Sequence, residues 1–196
     1  MKKSAYIALG AGFLGVLLLA RRSHRPPALR LPVVSGVDLS RYIGWWYEIA
    51  RLPNGFQRTG ENSMAEYELA ADGIAVRNFA VTREGKSRFA SGSAMPIPGS
   101  GNARFRVRFG GLASLFPVSK EGNYWIIDLD RENYQYALVG TPDRKFLWIL
   151  SRTPELPERA REILLTTACR YGFDTDKLIW DRWDECLERV PELLLG

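Results

Sequence analysis

From Trp45 onward the chain runs in short alternations of apolar and polar residues, separated by turn-forming residues. The clearest is 104–109, Arg-Phe-Arg-Val-Arg-Phe, in which Phe105, Val107 and Phe109 share one face and three arginines the other. Such a strand walls an apolar interior and turns its other side to water. The stretch 44–51, Gly-Trp-Trp-Tyr-Glu-Ile-Ala-Arg, sets Trp46, Glu48 and Ala50 against Tyr47, Ile49 and Arg51. Two adjacent tryptophans after a turn-forming glycine are too costly to expose, so the Trp46 face is read as inward. Strands are predicted at 45–52, 63–69, 74–81, 88–95, 103–109, 124–130, 136–139 and 146–151, with turns at 71–73, 84–86 and 141–143. No long helical pattern interrupts them before residue 155, which excludes a doubly wound α/β fold. Eight strands in meander order predict an all-β, antiparallel up-and-down barrel, a closure that leaves no free sheet edge.

Residues 146–150, Phe-Leu-Trp-Ile-Leu, are apolar on both faces, so something must cover their outer side. The segment 157–171 supplies it: Ala160, Ile163, Leu164, Thr167 and Ala168 fall at helical spacing and Gly172 stops the helix. One flanking α-helix is therefore expected, then a short ninth strand at 178–183 and a tail at 184–196 broken by Pro191. Upstream, Asp38 caps a short turn at 39–42, and Pro26, Pro27 and Pro32 make 23–36 an extended tether. The barrel domain is placed at 37–183.

A chain of 196 residues, 46% hydrophobic and 12% aromatic, suits one domain with a sizeable core plus a tail. Its formal charge of +5 is misleading. Lys2, Lys3, Arg21, Arg22, Arg25 and Arg30 precede any acidic residue, and without those six the remaining 21 basic residues face 22 acidic ones. The domain is close to neutral, and no nucleic-acid partner is indicated. Residues 5–20 form an uncharged, mostly apolar run behind Met-Lys-Lys, so 1–22 reads as a signal or membrane-anchor segment. Arg21 and Arg22 stand where a signal cleavage site would carry small residues, which favours the anchor. No cysteine precedes Cys169, so a lipoprotein cysteine is not provided. Cys169 and Cys186 either pair in an oxidising compartment or stay as thiols.

Catalytic signals are poor. The single histidine, His24, lies in the tether, leaving the domain without a histidine triad, histidine metal ligand or proximal haem ligand. The glycines at 10, 12 and 15 have dinucleotide-site spacing but sit inside the membrane segment with no preceding strand. Cys169 lies on the predicted helix with no base in view. No cofactor, no metal and no catalytic residue is assigned.

The order strand with Gly-x-Trp, seven strands, helix and short strand resembles the lipocalin family over residues 37–183. Gly44 and Trp46 match its first motif, and the extended form Gly-x-Trp-Tyr-Glu-Ile-Ala-Arg looks like the bacterial, Blc-type and apolipoprotein D-like branch. Of the second motif, Thr-Asp-Tyr, only Asp130 remains, in Leu129-Asp130-Arg131. Arg152 matches the arginine that ends the eighth strand. Asp143-Arg144 and Tyr171-Gly172-Phe173-Asp174 also look like the bacterial branch.

The resemblance implies a calyx in which Gly44, Trp46 and Arg152 form the structural closure at the narrow end. Combined with alternation, it implies a lipid-binding inner face. That face takes Ala50 from the first strand, Tyr67 from the second, and Val76, Asn78 and Ala80 from the third. Phe105, Val107 and Phe109 come from the fifth, Tyr124 and Ile126 from the sixth, Val139 from the seventh and Trp148 from the eighth. Glu48 and Asp128 are the candidate polar cavity groups, each read either as an anchor for a ligand head group or as a satisfied structural acid. The apolar loop 110–117 is read as a rim patch or as a loop folded on the mouth. The expected function is non-enzymatic binding, storage or transport of a small lipophilic ligand, a fatty acid or lysophospholipid, in the bacterial cell envelope. The protein would be membrane-anchored or periplasmic, a monomer or homodimer, with the N-terminal segment engaging the membrane. Two other readings stand beside it: a lipid- or isoprenoid-modifying enzyme using Glu48, Asp128 or Tyr124, and a partner-binding envelope module with a filled barrel.

Overall fold

The computed structural model describes residues 30–110 and 119–185. A helical turn, α1 (Leu39–Tyr42), is capped by the Asp38 carboxylate, which accepts from the Ser40 amide at 3.0 Å. Gly44 then turns the chain into the sheet at φ +92°, a conformation that favours glycine. The strands are β1 (Gly44–Arg51), β2 (Glu61–Ala70), β3 (Gly73–Thr82), β4 (Ser87–Pro96), β5 (Arg104–Phe109), β6 (Tyr124–Leu129), β7 (Tyr136–Gly140) and β8 (Leu147–Ser151). Each pairs antiparallel with the next, and β1 pairs with both β8 and β2, closing an eight-stranded barrel. The helix α2 (Glu158–Arg170) and a two-residue strand β9 (Ile179–Trp180), added to the free side of β1, complete the architecture. Among the described residues no helix is long and apolar enough to cross a membrane.

The double-faced apolar character of β8 has a direct cause. Leu147 and Ile149 face outward into a core with Leu164 and Ala168 of α2, while Trp148 and Leu150 face the barrel interior. The helix buries Ala160, Leu164 and Ala168, one residue per turn. Ile163, expected on that face, is 39% exposed, and Thr167 instead donates to Asp128 at 3.0 Å.

Two strand irregularities reverse the predicted alternation. In β1 the register against β8 shifts between Glu48 and Ala50. The extra residue turns Ala50 out into the α2-side core and Arg51 in beside Glu48, opposite to the expected faces of both. In β6 the register against β7 shifts between Ile126 and Asp128. Asp128 is thereby turned to α2 on the outside of the barrel and is not a cavity group.

The upstream boundary also differs from expectation. Residues 31–36, read as tether, lie along the barrel: Leu31 is buried, and the Val34 amide donates to the Ile126 carbonyl at 3.0 Å. The short final strand is confined to 179–180, and Trp183–Glu185 forms a single 3-10 turn. The apolar run 5–20, His24, the first half of the predicted tether, loop residues 111–117 and Cys186 lie outside the described residues. Cys169 is exposed on α2.

One end of the barrel is sealed by Trp46, which is fully buried and donates from its indole to the Tyr42 carbonyl at 2.8 Å. The Arg152 guanidinium lies 3.8 Å over the same ring. It donates to the carbonyls of Trp45 and Arg41 at 2.7 Å, Ile43 at 2.9 Å and Tyr42 at 3.1 Å. Replacing Trp46 by alanine removes a core side chain and the platform for that cation. It is expected to cost about 3–5 kcal/mol, measured as a large fall in melting temperature, and an unchanged melt would count against this closure.

Candidate ligand-binding cavity

Above the Trp46 seal the barrel holds a cavity of about 770 Å³ open at the opposite end. That volume lies in the range of roughly 300–1,000 Å³ typical of small-molecule sites. Its walls are mainly apolar, because the inward positions of β3, β4 and β5 carry residues such as Val76, Ala80, Ala94, Phe105 and Val107. Of the predicted inner face, Tyr67, Val76, Asn78, Ala80 and Tyr124 border the cavity, as do Phe105, Val107, Phe109 and Trp148. Ile126 and Val139 lie deeper, in the packing around Trp46, and Ala50 lies outside. Asn78 is a polar residue on this mainly apolar wall.

The floor is aromatic. Tyr42 packs on Trp46 with ring centroids 5.1 Å apart and stacks against Tyr67 at 5.9 Å, and Tyr124 meets Tyr67 edge-on at 6.3 Å. The three hydroxyls meet: Tyr124 lies 2.7 Å from that of Tyr42 and 3.2 Å from that of Tyr67. Burial raises all three phenols above their ordinary value, Tyr67 to about 12, so each keeps its proton at neutral pH. Tyr42 was not anticipated as a cavity residue; it sits in α1, outside any strand alternation.

Glu48 borders the cavity and is engaged on both oxygens. One accepts from Arg51 at 2.8 Å and the other from Gln57 at 2.7 Å. Arg51 also donates to Asp181 at 2.8 Å, and Asp181 in turn accepts from the Ser63 amide at 2.9 Å. Two buried carboxylates thus share one guanidinium. Burial raises Glu48 above the ordinary carboxylate value, and burial together with the nearby Glu48 charge raises Asp181 to about 8. Asp181 and Gln57 carry no sequence signal of this role; they meet Glu48 only because the segment after β9 and the loop after β1 converge there.

Gln57 makes that loop part of the mouth. Its side-chain carbonyl accepts from the Trp148 indole at 3.1 Å and from Asn54 at 2.7 Å. Phe56 in the same loop packs edge-on against Phe146 at 5.5 Å. Across the mouth Arg88 bonds both oxygens of Glu61, at 3.0 and 2.5 Å, and the Phe56 carbonyl at 3.1 Å. Lys145 and Asp143, 3.4 Å apart and solvent-exposed, complete a rim of mixed charge. Among the described residues no cluster of histidine, cysteine or carboxylate groups is arranged to hold a metal.

Comparison with known proteins agrees with this architecture. The family profile described as a lipocalin-like domain matches residues 37–182. The chain is 40% identical over 166 residues to the outer membrane lipoprotein Blc of Escherichia coli K12, covering 84% of this chain and 89% of that protein. It is 40% identical over 151 residues to temperature-induced lipocalin-1 of Arabidopsis thaliana, covering 76% and 80%. Among solved structures, insecticyanin from the tobacco hornworm Manduca sexta superposes with a TM-score of 0.59 at 22% identity, covering 80% of this chain and 86% of that one. The last likeness establishes the fold.

The shared guanidinium gives stability a definite pH dependence. With Asp181 and Glu48 raised in the folded state, the native protein holds protons that the unfolded chain has already released. This contribution is complete below the ordinary carboxylate range and is lost as pH rises toward about 8. Denaturant midpoints are expected to fall across that window. Asp181→Asn, which mimics the protonated acid, should flatten the slope; a native-like slope in the variant would refute the assignment.

Proposed function

The chain belongs to the lipocalin family, and on that footing we propose that its barrel binds a long-chain amphiphile, a fatty acid or lysophospholipid, for storage or transfer in the cell envelope. The observation that carries this reading is an apolar cavity of about 770 Å³ sealed at one end and open at the other through a charged rim. Burying a chain there contributes about 0.8 kcal/mol per methylene, so the tail dominates affinity while the head group stays near water at Arg88 and Lys145. The Asn78 amide is a further polar contact within reach of the cavity.

Binding fits better than catalysis. Of the three residues that could each serve a lipid-modifying enzyme as acid or base, Asp128 is outside the barrel, both Glu48 oxygens are engaged, and the Tyr124 phenol is raised away from neutrality. A barrel filled by its own aromatics does not fit a cavity of this size. The envelope assignment draws on the relative named as an outer membrane lipoprotein. The proposed attachment is through the apolar run 5–20 behind Met-Lys-Lys.

Delipidated protein titrated with fluorescent fatty acids and lysophospholipids is expected to show saturable binding. Each added methylene should tighten it by up to roughly fourfold until the cavity is filled. Ala80→Phe, which places a ring on the inner wall, should weaken binding and leave the melt near native. Absence of saturable binding to any chain would overturn the proposal.

A further inference from the structure

The polar spot on the cavity floor is incomplete. Tyr42, Tyr67 and Tyr124 bring three O–H donors together, but only two oxygen–oxygen contacts join them, at 2.7 and 3.2 Å. Each contact uses one proton. The third O–H has no acceptor among the described residues, whichever way the hydroxyls are turned, and all three residues border the cavity. A buried donor without a partner costs more than the net gain of an ordinary hydrogen bond. Any oxygen that accepts a hydrogen bond satisfies that donor, and an unsubstituted hydrocarbon end arriving at the floor does not.

We propose that this tyrosine cluster is a second polar subsite, taking an uncharged oxygen at the end of the ligand remote from its head group, as in an ω-hydroxy or ω-oxo chain. The inference rests on the amphiphile reading above. A carboxylate suits the floor poorly. Among the described residues no cation at the floor is left to meet it: the Arg152 guanidinium spends its donors on backbone carbonyls and lies on the Trp46 ring. Three neutral phenols cannot offset the desolvation of a charge. A hydroxyl or carbonyl oxygen accepts the spare proton, and its own desolvation is smaller. The rings of Phe105 and Tyr67 stand edge-on to Tyr124, so these hydroxyls are polar groups in an otherwise aromatic surround.

The test compares fatty acids with their ω-hydroxy counterparts of equal carbon number, across a series of lengths, by calorimetric titration. At the length that binds best, the native protein is expected to prefer the ω-hydroxy chain by about three- to tenfold. In the triple variant Tyr42→Phe, Tyr67→Phe, Tyr124→Phe the rings remain and the hydroxyls go. There the preference should reverse toward the plain chain, because the terminal hydroxyl then loses its partner. Equal affinities in the native protein, which needs no variant to measure, overturn the subsite while leaving the amphiphile reading intact. So does an undiminished ω-hydroxy preference in a folded triple variant. Failure of both chains to bind overturns both readings.

Discussion

A barrel with an apolar interior must be closed at one end by something that also satisfies the backbone where strands begin and stop, and here that is Arg152 lying on Trp46. The guanidinium is 3.8 Å from the indole and gathers carbonyls from α1 and from the start of β1. Its Nε reaches the Tyr134 carbonyl at 3.3 Å, which joins the turn between β6 and β7 to the same knot. Of these, the Arg41, Ile43 and Tyr134 carbonyls lie outside the strands and are satisfied by it. Burial pulls the Arg152 pKa down from its ordinary value, but an arginine remains charged. Closure there dictates that access lies at the other end, and so decides which residues can meet a ligand.

The second constraint is the seam between β1 and β2. Their pairing stops at Tyr47 opposite Met64, so the upper half of the barrel would gape. The segment after β9 fills it: Asp181 caps the Ser63 amide, and Asn62 and Arg182 exchange bonds of 2.7 and 3.0 Å. Arg51 lies beneath, bonded to Glu48 and Asp181. This explains why charge is buried beside an otherwise apolar cavity. Breaking such a set is costly even where forming it stabilises little, and that suits a residue whose work is to hold β1 against the C-terminal segment.

Much of this was legible. Alternation in 104–109 and the two apolar faces of 146–150 identified the wall and the helix covering it, and the turn residues placed every strand. The misread strand faces have one cause. Period-two reasoning carries across a strand only while no residue is inserted, and the irregularities after Glu48 and after Ile126 each insert one. Ala50, Arg51 and Asp128 were thereby read on the wrong faces. The conflict was visible in principle: an outward Arg51 would have faced the region beside β8 that the helix has to cover. Tyr42, Gln57 and Asp181 were not recoverable by any period. Each lies outside the barrel strands, and reaches the site through contacts spanning up to 130 residues of sequence.

The polar groups of the cavity fall into three levels that differ in what they can exchange with a ligand. At the rim, Arg88 with Glu61 and Lys145 with Asp143 stand near water, where a charged head group loses little hydration. Midway, Glu48 is fully committed to Arg51 and Gln57, so it shapes the wall and offers nothing. At the floor only neutral hydroxyls remain, held neutral by burial. Charge tolerated at the top and none at the bottom gives an amphiphile one favourable direction of entry, tail first. On the function proposed here, orientation is set by electrostatics at the rim, affinity by the apolar walls, and discrimination among chain ends by the tyrosines on Trp46.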